Sequence, residues 1–129
     1  MLNEKGEKSM ETRAHKKLDV WKRSMGLAKR IYKATSQFPS VEQFGLVSQM
    51  RRAVVSIPSN IAEGAARFSK KEFIKFLYVS LGSLSEVETQ LIIAEKLRYL
   101  TASKLLEEVE ALRRMTLNFI KYLKSKNAE

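Results

Sequence analysis

The sequence predicts an all-α fold: an up-down-up-down four-helix bundle, with a proline-kinked second helix, assembling into a homo-oligomeric ring. Three observations lead there. Apolar residues recur at three- and four-residue spacing in four segments, with no strand-like alternation. Only two prolines and five glycines punctuate 129 residues. The joints are short, and a short joint cannot carry the chain back along a helix, so neighbouring helices must alternate in direction.

The first helix is expected from about Leu18 to Gln37, with Trp21, Met25, Ala28, Ile31, Tyr32 and Thr35 facing inward. Lys22, Lys29 and Lys33 repeat at seven and four and stack on another side, with Arg23 and Arg30 beside them. "QFPSVEQFG" (Gln37 to Gly45) supplies a joint. The second helix is expected from about Leu46 to Arg67, on a stripe of Leu46, Met50, Ala53, Ile57 and Ile61, with Val47 and Val54 alongside.

Inside that second segment, "SIPSNIAEG" admits three readings. A phosphate-gripping loop needs clustered glycines and a following Lys, and only Gly64 is present. A helix end at Ile57 respects the conformational bias of a residue before proline. A kinked but continuous helix keeps the stripe in phase from Met50 through Ile57 to Ile61, and is the expected outcome. Pro58 cannot donate to the carbonyl of Val54, and Ser56, Ser59 and Asn60 are short polar side chains near the disturbed backbone. Gly64 lets a neighbour approach. Arg52, Ser56, Asn60, Glu63 and Arg67 make one polar stripe, expected as an interhelical or intersubunit seam; the alternative is a ligand groove floored by Asn60 and Glu63. Glu63 and Arg67 are one turn apart and can pair.

The third helix opens at "SKKE", where Ser69 and Glu72 have capping-box spacing, and continues to about Leu97. Phe73, Leu77, Leu84, Val87 and Leu91 form its main stripe, widened by Ile74, Leu81 and Ile92. Val79, Ile93 and Leu97 fall on a different side. The fourth helix is expected to start near Thr101 as cap and run to about Lys124, with Leu105, Val109, Leu112, Thr116, Phe119 and Leu123 inward. Met115 and Tyr122 lie off that face. Apolar residues on more than one side of a helix call for a second subunit. Val79, Ile93, Leu97, Met115 and Tyr122 are therefore the candidate oligomer interface.

Residues 1–17 read as a flexible polar arm and 18–129 as the bundle domain. The arm lacks the apolar stretch of a secretory signal, and no run approaches the roughly 18 apolar residues of a membrane span. Without cysteine there is no disulfide, thiolate metal site or Cys nucleophile. A cytoplasmic, non-membrane protein is expected. Catalysis is not: His15 is the only histidine, Glu-x-x-His metal pairs are missing, and Glu107, Glu108 and Glu110 look like a solvated face. No cofactor is expected.

The net charge is +10, of which residues 18–75 carry +7. A basic patch of that kind attracts polyanions without choosing a sequence. Lys22, Arg23, Lys29, Arg30, Lys33, Arg51, Arg52, Arg67, Lys70 and Lys71 are the candidate nucleic-acid contacts. No RNA-stacking aromatic motif is visible, so contacts should fall mainly on phosphate. The rival reading is an oligomeric protein adaptor whose charge serves solubility.

"LDVWKRSMGLAKRIY", "FPSVEQFGLVSQMRRAVVSIPSNIAEGAARFSKKEFIKFLYVSLGSLSEVETQL" and "LRYL" together resemble the bacterial four-helix-bundle family named for the 23S rRNA intervening-sequence protein. The family pattern falls on Phe38, Pro39, Glu42, Gly45, Leu46, Gln49, Arg51, Arg52, Ala53, Ser56, Ile57, Asn60, Ile61, Ala62, Glu63 and Gly64, then Lys71 to Phe73, Phe76 to Tyr78, Leu81 to Leu84 and Glu86. The resemblance implies a homopentamer. It also implies likeness to the accessory subunit of diversity-generating retroelements, which binds nucleic acid and works with a reverse transcriptase. Such a protein partner is thus a further expectation.

Overall fold

The computed structural model describes His15 and residues 18–126. Four helices occupy most of that span: α1 Asp19–Thr35, α2 Leu46–Ala65, α3 Lys70–Lys96 and α4 Ser103–Ser125, with a 3₁₀ turn at Ser40–Glu42 between the first two. No strand occurs among the described residues. Each helix packs on its neighbours in sequence and α4 packs on α1, whereas α1 avoids α3 and α2 avoids α4. Four helices therefore surround one core. Ile31, Met50, Ile57, Ile61, Leu77, Leu84, Leu91 and Leu112 are wholly buried in it, each side chain contributing about 1.5–3 kcal/mol relative to exposure.

α2 runs without interruption through Pro58, which is itself buried. That excludes both the helix end at Ile57 and the phosphate loop. Met50, Val54, Ile57 and Ile61, on either side of the proline, are completely buried, and this packing outweighs the lost backbone hydrogen bond. α2 and α3 lie close where Gly64 faces α3: a Cβ there would stand 2.8 Å from Phe76 Cβ and 2.9 Å from Phe73 Cδ1.

Two local expectations are corrected. In α1 the buried residues are Val20, Ser24, Leu27, Ile31 and Thr35, while Met25 and Tyr32 are 45% and 42% exposed. The helix is turned relative to the expected face because Ser24 can be hidden beside Val20 and Leu27, while Thr35 stays inward as expected. The Ser24 hydroxyl donates to the Trp21 carbonyl (2.8 Å) and Thr35 to the Ile31 carbonyl (2.8 Å), so neither carries an unmet polar group inward. Thr101 does not cap α4. Ala102 takes that place, fully buried and without a side-chain cap bond. Burial of its methyl fixes the entry of the chain.

Ser69 does cap α3, accepting from the Glu72 amide at 3.0 Å. At the other end of α3, Arg98 adopts φ 64°. The Tyr99 amide reaches the Ala94 carbonyl and the Arg98 amide reaches that of Glu95, both at 2.9 Å. This is a Schellman closure with arginine in the position usually held by glycine. The expected arm lies outside the described residues except His15, whose ring stands edge-on to Trp21 at 5.2 Å.

Candidate nucleic-acid interface

Helical geometry places Lys22, Lys29 and Lys33 within about 40° of one another on α1 and opposite Ile31, which points into the core. All three are exposed and form no ion pair among the described residues. Arg23 and Arg30 sit about a quarter-turn away and lean toward α4. There Glu108 receives both, at 3.6 and 3.1 Å. Their charge is thereby offset, in exposed pairs worth about 0–1 kcal/mol each.

The α2 arginines divide in the same manner. Arg51 is half-buried and structural: its Nε donates to Thr35 Oγ1 (3.0 Å), its Nη2 to the Tyr32 carbonyl (3.2 Å), and its guanidinium lies 4.5 Å from the Tyr32 ring centre. Arg52 is exposed and forms no ion pair or hydrogen bond among the described residues. The carboxylates borne by α1 and α2 are Asp19 and Glu63 alone, and Glu63 is engaged by Arg67 at 2.8 Å. The outer α1–α2 side is consequently rich in uncompensated positive charge.

Arg67, Lys70 and Lys71 do not join that group. They lie where α2 ends and α3 begins, beside the end of α4, whose Lys126 carbonyl accepts from Lys70. Arg67 covers the Phe76 ring at 5.0 Å, and Lys71 is exposed. Arg52 and Arg67 are separated by fifteen residues of largely helical chain, roughly 20 Å. Arg67, Lys70 and Lys71 thus have neighbours different from those of Arg52.

The polar stripe of α2 forms part of an interhelical seam. Ser56 and Ser83 hydroxyls meet at 2.8 Å, the Asn60 amide donates to the Ser56 carbonyl (2.8 Å) and Oγ (3.0 Å), and Ser80 donates to the Ile57 carbonyl (2.9 Å). Asn60 is occupied within this seam, and Glu63 by its arginine. Ser80 and Ser83 escaped the sequence reading because serine on an apolar helix gives no periodic signal. The one buried side-chain polar atom without a partner among the described residues is Gln90 Oε1.

Val79, Ile93 and Leu97 lie within about 40° on the outer side of α3 and remain 43–50% exposed. Tyr122 of α4 is exposed. Met115 is half-buried, with its sulfur 3.7 Å from Arg23 Nη1.

The Phe38–Leu46 segment has a structural role that residue spacing did not reveal. Phe38 is buried with its ring 5.2 Å from that of Tyr99. Glu42 accepts from the Tyr99 hydroxyl at 2.7 Å and from the Leu46 amide at 3.2 Å, closing the start of α2. The Tyr99 bond, then the Leu46 bond, hold the Glu42 carboxyl below its ordinary range. The same bond to Glu42 raises the Tyr99 phenol. A groove of about 420 Å3 opens beside this segment, between α1 and α2.

No group of three or more metal-ligating side chains occurs among the described residues, and no described helix is long and apolar enough to cross a membrane.

The family described as 23S rRNA-intervening sequence protein matches residues 16–118. Among solved structures, a protein of unknown function from the S23 ribosomal protein family of Bacteroides thetaiotaomicron is similar in fold, with a TM-score of 0.71 and 24% identity over 79% of this chain and 95% of that one. At that identity the likeness concerns fold alone. No curated protein matches.

Proposed function

Because the chain belongs to the 23S rRNA-intervening sequence protein family, we propose that it is a non-enzymatic, cytoplasmic nucleic-acid-binding protein that grips phosphate backbones with little sequence selectivity. The observation that carries this reading is the outer α1–α2 side, where Lys22, Lys29, Lys33 and Arg52 have no carboxylate partner among the described residues. In this reading the helices alternate up and down, Pro58 kinks α2, and copies associate through the exposed apolar strip of α3 into a homo-oligomeric ring. Ring symmetry multiplies a modest basic surface and raises avidity without new contacts. The subunit number, five, and a reverse transcriptase as protein partner rest on the family resemblance.

Affinity for a labelled oligonucleotide should fall steeply with salt as counterions are released. Replacing Lys22, Lys29 and Lys33 by glutamate should weaken binding strongly. Neutralising Arg23 and Arg30, already engaged by Glu108, should weaken it far less. A protein that retains no oligonucleotide at low salt is not a nucleic-acid binder.

A protein adaptor is the second reading, favoured by the same apolar α3 strip. A dominant protein partner recovered after nuclease treatment, with no retained nucleic acid, selects it.

A further inference from the structure

Phosphate binding leaves one feature of the α1–α2 side without a use. Phe44 is 96% exposed, although a phenyl ring gains substantially from leaving water. It stands at the groove between α1 and α2, whose volume of about 420 Å3 falls within the roughly 300–1,000 Å3 range of small-molecule sites. Tyr32 and Arg51 form one part of the lining. Arg51 is fixed against the Tyr32 ring and bonded to Thr35, so this planar pair is set before any ligand arrives. Arg52 contributes a guanidinium without a partner among the described residues, and Gln43 and Ser48 contribute polar side chains. No carboxylate lines the groove.

Resting on the nucleic-acid reading above, we infer that this groove accepts an unpaired base of a single-stranded nucleic acid, stacked on Phe44, with the adjoining phosphates on Arg52 and the α1 lysines. Charge complementarity identifies the occupant. The lining is aromatic and cationic, as in sites where bases stack on rings and the backbone follows positive charge. Lys29 and Lys33 flank Tyr32 along α1 and continue the positive track away from the groove. A duplex keeps its bases stacked on one another and can offer only phosphate here. The protein therefore favours single strands over duplexes, a preference that simple phosphate binding does not provide.

The test is fluorescence anisotropy with 15-nucleotide single strands of RNA and of DNA, the same strands with central abasic positions, and the matching duplex. The wild type should bind the intact single strand about fivefold or more tighter than the abasic one. Phe44→Ala should abolish that difference while leaving affinity for the abasic strand and the duplex unchanged. Arg52→Lys keeps the charge but loses the planar fork for phosphate, and should weaken intact and abasic strands alike, leaving their difference in place. The RNA and DNA arms identify which sugar the groove accepts.

Equal binding of intact and abasic strands by the wild type overturns the inference, and the phosphate reading survives if that binding is salt-sensitive. No binding of any strand at low salt removes both. A change of mass in light scattering on Phe44→Ala would assign the ring to a contact between copies and likewise overturn it.

Discussion

Gly64 shows how one missing methyl sets the distance between two helices. A Cβ would meet the Phe73 ring edge at 2.9 Å, which can swing aside, and two atoms that cannot, Phe76 Cβ at 2.8 Å and the Phe73 carbonyl oxygen at 3.2 Å. Gly64→Ala should therefore destabilise the protein by about 1–2 kcal/mol, overpacking outweighing the better helix propensity of alanine. Chemical denaturation measures this, and an unchanged or raised midpoint would refute it. Glu42 is the second informative residue. Its carboxyl is lowered in the folded state, so its contribution to stability is complete above the unfolded value of 4.5 and is lost as pH falls through the folded value. Glu42→Gln keeps an acceptor for the Leu46 amide but removes the titration. The variant should lose less thermal stability than the wild type as the pH is taken from neutral to well below 4.5; parallel losses would show that other carboxylates dominate. Sequence placed Glu42 in a pattern but gave no partner for it, because Tyr99 lies 57 positions away.

At the scale of helices, spacing predicted all four elements and the capping serine of α3. The rotation of α1 was less legible. Spacing puts Thr35 inward but not Ser24, although the Ser24 hydroxyl is satisfied on the preceding turn and enters the core. The division of arginines was also hidden. Arg23 and Arg30 look equivalent to the neighbouring lysines until α4 brings Glu108 against them. α3 carries the clearest expectation at this level. Ile93→Glu alters an exposed position, so it should leave the helix folded while charging the apolar strip. If that strip joins copies, light scattering should show a smaller assembly with unchanged helical circular dichroism. A wild type that is already monomeric at micromolar concentration contradicts the proposed association.

For the molecule as a whole, composition and periodicity were enough to reach an all-helical bundle, because one apolar stripe per helix leaves few ways to enclose a core. The functional surface was only partly legible. Total charge pointed to the first half of the chain, but uncompensated charge depends on where carboxylates fold, and that is a long-range property. Phe44 was harder still. A lone aromatic in a short joint carries no periodic signal, and its exposure emerges only when the groove beside it is formed.

The hydroxyl seam has a consequence for how the molecule breathes. Ser80 and Ser83 clip α3 to α2 in fixed register, whereas α1 and α4 are tied to each other by solvent-facing arginines around Glu108. Partial opening should begin at α1 and α4, where less is broken per step. The α2–α3 pair then endures as a folded remnant from which the chain can reclose.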